Sequence, residues 1–521
     1  MPRSDLRLGV DVGGTNTDAV VLDADDRLVA KAKVPTTPDV SEGIDRAITA
    51  VLGSRSVTSD RITHVMLGTT HATNAILERR GLRRVAVVRL GAPATEAVPP
   101  LSTWPPDLRQ AVSAGEVIVG GGFEFDGRPI APLDEEAIAR FIELIAARVD
   151  AIAIVSVFAP VSPEHELRAA DRVRKVAGSN VDLSLSHEIG TVGLLERENA
   201  TVLNATLGGV TRRVAEALSS ALNAHGLEPL VFFAQNDGSL MGLDYALDHP
   251  VLTIGSGPAN SIRGAAHLSG LDDGLVVDVG GTSTDIGAIA NGFARESTAP
   301  FEIGGVRTNF RMPDLVSLRL GGGTVLRFPD RRAPTLGPDS VGYRLAETAM
   351  VFGGGTATLT DAAAAGGRTV LGDPTLTTPR RRQLGRALSQ LDAILADGVD
   401  RIKTARTVSP LVAVGGGAFL VPDALPGVSD VLRPCNHDVA NAIGAALAHV
   451  SGQAEAVVRF AAGDRTAAID AVCAAARGRA VLAGADPTRI EIVEIEEIPL
   501  AYLTDPAVRI RAKAAGPLGE A

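Results

Sequence analysis

Only two of the 521 residues are cysteine, Cys435 and Cys473, which excludes a disulfide framework, a CxxC metal pair and a cysteine-held cluster and fits a reducing, cytoplasmic setting. Long apolar runs are missing too. The stretch 151–159 (AIAIVSVFA) is strand-length, far short of the roughly 20 residues a membrane span needs. The N-terminus, with Asp5 and Arg7 leading straight into alternating apolar residues, carries no apolar segment with a small-residue cleavage site, so no secretory leader is expected. A cationic surplus is absent: 50 Lys and Arg against 61 Asp and Glu leave a net charge of −11. No Lys/Arg stripe is interleaved with aromatics, so nucleic acid is not an expected partner. The chain also lacks GxxxxGK(S/T), GxSxG and HExxH, which removes P-loop, serine-hydrolase and zincin chemistry.

What is present is a globular composition, 45% hydrophobic and 21% charged, in a chain too long for one core, since single cores stop growing near roughly 250–300 residues. Strand-like and helix-like segments alternate: LRLGV, SEGIDRAITAVLG, RRVAVVRL, DEEAIARFIELIAARV, DAIAIVSVF and PEHELRAADRVRKVAG. That order predicts an α/β fold with a mostly parallel sheet. A first lobe over 1–186, a second over 187–450 and a small α+β appendage over 451–521 are expected, with one long helix spanning 194–225.

Two remote octets agree at all but one position: DVGGTNTD from Asp11 to Asp18 and DVGGTSTD from Asp278 to Asp285. Each follows an apolar strand and precedes another, so Gly13, Gly14, Gly280 and Gly281 fall in tight turns where backbone amides approach an anion. Thr15, Asn16, Thr17, Thr282, Ser283 and Thr284 surround the turns, and the hydroxyls of the threonines and of Ser283 add donors. A polyphosphate is the natural guest. Asp11 and Asp278, at strand ends, are candidate magnesium ligands acting through water and, with Thr282, candidate catalytic residues. One such hairpin could be a plain Gly-Gly turn; two copies argue against it. A third element, the strand SPLVAV running into Gly415, Gly416 and Gly417, gives a turn without side chains that can lie flat on an adenine ring.

With these motifs the chain resembles the hydantoinase A and 5-oxoprolinase family of the actin-like ATPase superfamily. Further stretches that carry the resemblance are LGTTHATNAILERRG, GRPIAPLDE, SPEHE, SHEIG, ERENATVLNATL, IGSGPANSIRGA, GGGT at Gly321, Gly322 and Gly323, and TATLTDA. The resemblance implies two ribonuclease-H-like, actin/hexokinase-type lobes around an ATP cleft, with ATP and Mg²⁺ as cofactors. It implies ATP-driven opening of a cyclic amide such as a hydantoin, lactam or oxoproline, or service as the ATP-using subunit of a ketone carboxylase. A separate hydrolase-like partner subunit is implied as well, and self-association stays open. The rivals are a small-molecule kinase and a nucleotide-dependent activator. Thr69, Thr70, Asn74 and Arg197 are candidate substrate contacts. The competing reading makes the threonines helix caps and Arg197 an interdomain ion pair. In SPEHE, Ser162 reads as an N-cap and His165 as structural.

Overall fold

The computed structural model describes residues 5–37, 39–178, 181–190, 192–297, 300–310, 312–329, 333–447, 449–459, 465–500 and 507–519. The first apolar alternation becomes a hairpin, Leu6–Val12 against Asn16–Leu22, buried along nearly its whole length. Strands buried on both faces belong inside a sheet. That sheet has nine strands in the order Glu491–Pro499, Ala507–Gly516, Val450–Arg459, Leu240–Gly242, Leu230–Ala234, Ile62–Thr69, Leu6–Val12, Asn16–Leu22 and Leu28–Pro35. Leu6–Val12, Ile62–Thr69 and Leu230–Ala234 run parallel, so their carboxyl ends share the edge where open α/β sheets bind ligands.

The second sheet repeats the plan. Gly274–Val279 pairs antiparallel with Thr284–Ala290 and parallel with Ser409–Val414, which continues to Val428–Leu432. Each DVGGT hairpin therefore has one parallel neighbour of its own. The fold is α/β with two ribonuclease-H-like lobes. The helices Ser256–Ser269 and Ala440–Leu447 cross between them and pack closely. A Cβ on Gly264 would fall 1.8 Å from the Ala440 carbonyl oxygen, and one on Gly444 would fall 1.8 Å from that of Asn260.

A four-stranded, all-parallel sheet (Ser113–Gly120, Val85–Ala92, Ala151–Ser156, Asp182–Leu185) enlarges the first lobe. Helices Glu135–Ile145 and Glu164–Ala177 cover one face, and the long helix Leu194–Ala224 covers the other. Ser162 does not cap Glu164–Ala177: the cap position is Pro163 and no side chain bonds there. His165 is structural, its Nδ1 accepting the Gly122 amide at 3.0 Å. Glu198 on the long helix meets Arg89 in a bidentate pair at 2.6 and 2.7 Å, with both side chains out of solvent. Arg89→Met should cost about 3–5 kcal/mol of unfolding free energy, because it strands a buried carboxylate. Denaturant titration of the two proteins measures it.

Sheet membership departs from the order expected along the chain. Leu230–Ala234 and Leu240–Gly242, beyond position 186, belong to the first sheet. The C-terminal segment is α+β, but it joins that same sheet and not the second lobe that precedes it. Val450–Arg459 pairs with Ala507–Gly516 over ten positions and with Leu240–Gly242 at one, while Arg465–Leu482 packs across them. Edge-to-edge pairing uses backbone groups that every residue carries, so it leaves no local trace in sequence. Among the described residues no helix is long and apolar enough to cross a membrane.

Candidate active site

The two octets fold alike to the residue. In the first, Asp11 pairs Asp18, Val12 pairs Thr17, and the Gly13 amide donates to the Asn16 carbonyl at 3.0 Å. In the second, Asp278 pairs Asp285, Val279 pairs Thr284, and the Gly280 amide donates to Ser283 at 2.9 Å. The next amides, those of Gly14 and Thr15 and of Gly281 and Thr282, donate to no protein acceptor among the described residues. The turns face each other across the lobes. A Cβ on Gly281 would lie 2.6 Å from Thr15 Oγ1 and 2.9 Å from Thr15 Cγ2.

Around this meeting point the structure sorts the expected residues. Thr17 and Thr284 are buried and their hydroxyls are spent elsewhere, Thr17 on Thr36 and Thr284 on the Leu320 carbonyl. Strand alternation turns them inward, which corrects their reading as anion donors. Gly321, Gly322 and Gly323 brace the second turn from behind: the Gly322 and Gly323 amides donate to Gly280 and Gly281 at 3.0 and 2.7 Å. Gly417 donates to Val279 at 2.8 Å, while a Cβ on Gly416 would have no atom within 4 Å. Gly416 thus keeps an unobstructed face.

Thr69, Thr70 and Asn74 gather beside the first turn. The Thr70 amide and hydroxyl both donate to the Val12 carbonyl at 3.3 Å, and Asn74 Nδ2 donates to Thr70 Oγ1 at 3.4 Å. Thr70 occupies the cap position of helix His71–Glu78 without any side-chain capping bond, so the capping reading fails for it, whereas it holds for Thr69, whose Oγ1 accepts the His71 amide at 3.2 Å and meets His71 Nδ1 at 2.6 Å. Arg197 is not brought to this place. It is buried, with Nε on Ser186 Oγ, Nη1 on the Val192 carbonyl and Nη2 on the Ser156 carbonyl. Its substrate role gives way to a scaffold role tying Ser186 and Val192 to the strand Ala151–Ser156.

The electrostatics centre on carboxylates. Asp11 Oδ2 accepts from Asn441 Nδ2 at 2.6 Å, and Asp278 Oδ2 accepts from Ser261 Oγ at 2.6 Å. Burial, then the charges of Asp18 and Asp278, push the Asp11 carboxyl up to about 7. Burial also raises Asp278 and lifts Asp285 to about 6. Lys33, 2.5 and 2.7 Å from the two Asp18 oxygens, is the cation nearby, yet burial still raises Asp18. Asp11 Oδ1 is buried and meets no protein partner. An orphaned carboxylate oxygen beside a second carboxylate is a hard-cation donor set. Asp11 and Asp278 therefore fit magnesium. Among the described residues no three His, Cys, Asp or Glu side chains form a metal cluster, so water and phosphate would complete the shell.

The folded Asp11 value, about 7 against an ordinary 3.8, means the folded state binds the extra proton. Stability is then full below the ordinary value and declines as pH rises through the folded one. Asp11→Asn should gain on wild type in melting temperature between about pH 4 and 7 and level off above, with added magnesium narrowing the gap. Calorimetric melts at pH 5, 6, 7 and 8 check it.

The residues missed by sequence reasoning are Gly68, Asn260, Ser261, Asn441 and Lys33. The polar pair inside GSGPANS was the available signal; Gly68 acquires meaning only from strand register.

Paired strand-turn-strand units facing one cleft are the mark of the actin-like, sugar-kinase-like fold class. Within it, the chain belongs to the hydantoinase/oxoprolinase family: the N-terminal region of that family matches residues 7–177 and the hydantoinase/oxoprolinase region matches 197–384. Caprolactamase subunit alpha of Pseudomonas jessenii is 28% identical over 382 residues, which is 70% of this chain and 54% of that protein. The acetophenone carboxylase gamma subunit of Aromatoleum aromaticum is 27% identical over 386 residues, 68% of this chain and 52% of that protein. The chain thus spans about half the length of these relatives. Two solved structures share the fold. The ATP-dependent caprolactamase from Pseudomonas jessenii has a TM-score of 0.77 at 21% identity, covering 98% of this chain and 88% of its own. Nucleotide-free acetone carboxylase has a TM-score of 0.73 at 18% identity, covering 99% and 89%.

Proposed function

We propose that this chain is the ATP-using subunit of a hydrolase that opens cyclic amides of the hydantoin, lactam or oxoproline type. The observation that carries the reading is the convergence of the two turns, which offers free amides from both lobes to one triphosphate. The amides of Gly14, Thr15, Gly281 and Thr282 bind phosphate oxygens, Gly416 lies along the adenine, and Asp11 and Asp278 hold magnesium. Bound magnesium neutralises charge on the phosphoryl group in transfer. Thr69, Thr70 and Asn74, beside the first turn, orient the acceptor.

The chemistry answers a need, because amide resonance makes the carbonyl carbon a poor electrophile. Attack of the amide oxygen on the γ-phosphorus expels ADP and leaves an imidate-like phosphate. Water then adds to the carbon, the ring C–N bond breaks, and a second water releases phosphate from the acyl group. Closure of the lobes keeps water from the γ-phosphorus until the acceptor is in place. A hydrolase-like partner subunit supplies the later water-dependent steps; several relatives are themselves named as subunits.

The similarity to an acetophenone carboxylase subunit favours a second reading, phosphorylation of an enolate oxygen ahead of carboxylation. One screen separates them: the chain, coexpressed with the products of neighbouring reading frames, is assayed for ADP release. Stimulation by hydantoins, lactams or oxoproline is expected. Stimulation by a ketone with bicarbonate supports the second reading, a stable phosphorylated product makes the chain a kinase, and no stimulation by any cyclic amide contradicts the proposal.

A further inference from the structure

Two consecutive side chains on the interlobe helix Ser256–Ser269 reach the aspartates of the two lobes. Ser261 Oγ donates to Asp278 Oδ2 at 2.6 Å. Asn260 has none of its surface exposed. A Cβ on Gly68 would stand 2.3 Å from Asp11 Oδ1 and 2.8 Å from Asn260 Nδ2, so both atoms border the space that this glycine leaves open. Both of these atoms, and the Oδ1 of the same Asn260 amide, are buried without a protein hydrogen bond.

A primary amide buried with both ends unsatisfied is unfavourable for folding, and such groups are rare in native proteins. Alanine at 260 would avoid the penalty. The atoms are chemically complementary around one oxygen, since Nδ2 donates to it and the two acceptors take its protons. The helix is also firmly seated, packed on Ala440–Leu447, whose Asn441 holds the other oxygen of Asp11.

We propose that Asn260 and Ser261 are positioning residues of the phosphoryl-transfer centre: Asn260, with Asp11 Oδ1, holds a single water oxygen, while Ser261 fixes Asp278. The catalytic consequence rests on the nucleotide reading above; the oxygen site itself does not. That oxygen comes from bulk water or from the hydration shell of a divalent cation.

Crystals of the full chain grown in EDTA and in magnesium chloride test the site. An ordered oxygen within about 3.2 Å of Asp11 Oδ1 and Asn260 Nδ2 is expected. A peak in both conditions identifies bulk water, a peak with magnesium alone identifies the hydration shell, and a peak in neither overturns the proposal. The variants test the role. Asn260→Ala breaks no protein hydrogen bond, so it should remain folded with a melting temperature near that of the wild type, yet lose about tenfold or more in kcat for ATP turnover at unchanged KM. Ser261→Ala should behave likewise in kcat, with Ser261→Thr restoring it. Wild-type kcat in Asn260→Ala overturns the positioning role. A wild-type protein that shows the oxygen but turns over no ATP refutes the nucleotide reading and leaves the oxygen site standing.

Discussion

Asp278→Asn should lower substrate-stimulated ATP turnover by roughly 10²–10³-fold, the scale for losing one electrostatic contact to a reacting group, without lowering the melting temperature. The two halves of this result have separate causes. Folding gains nothing from the charge: among the described residues the Asp278 carboxylate accepts from the Ser261 hydroxyl, and burial disfavours its ionised form. Asparagine keeps the shape and an acceptor for Ser261 while removing a charge that the interior opposes. On the proposed magnesium role turnover needs that charge, because with Asp11 it would attract and seat the cation. Steady-state ADP release and a calorimetric melt on the same preparation give both numbers, and undiminished turnover would remove the magnesium role assigned to Asp278.

Gly68→Ala should be nearly as damaging to activity although position 68 bears no functional group. The parallel register sets Asp11 beside Gly68, and the new methyl would stand 2.3 Å from Asp11 Oδ1 and 2.8 Å from Asn260 Nδ2. No real contact is that short, so the carboxylate must leave its place. We expect turnover to fall about a hundredfold, with a stability loss of about 1–3 kcal/mol from overpacking. The second lobe has a counterpart: a Cβ on Gly415 would lie 2.3 Å from Asp278 Oδ1. Gly385→Ala is the control. It sits in the helix Arg381–Ile402, where an added methyl meets nothing within 4 Å, and it should stabilise by about 0.5–1 kcal/mol with turnover unchanged. If Gly68→Ala matches that control in the ATPase assay, Asp11 does not act where its neighbours hold it.

The twin turns were legible because their information is local: an apolar strand, a glycine pair and a second strand, written twice. The helix Leu194–Ala224 was legible for the same reason, emerging within one residue of the expected 194–225. Features that depend on what lies across the fold were not. Thr17 and Thr284 look like free hydroxyls until pairing turns them inward. Arg197 looks available for a substrate until the backbone carbonyls of Ser156 and Val192 close on it. The strands Val450–Arg459 and Ala507–Gly516 give no hint of joining the first sheet. Asn260 and Ser261 lie in IGSGPANSIRGA, a stretch notable in the sequence only for its resemblance, and the approach of two lobes to that helix is what sets them on a pair of carboxylates.

The claim on which all of this depends is that one triphosphate is gripped by both turns. A crystal structure of the full chain with magnesium and a non-hydrolysable ATP analogue tests it directly. We predict phosphate oxygens within about 3.2 Å of the amides of Gly14 or Thr15 on one side and Gly281 or Thr282 on the other, with the cation between Asp11 and Asp278. Nucleotide bound away from either turn, or none bound at saturating analogue, would contradict the account.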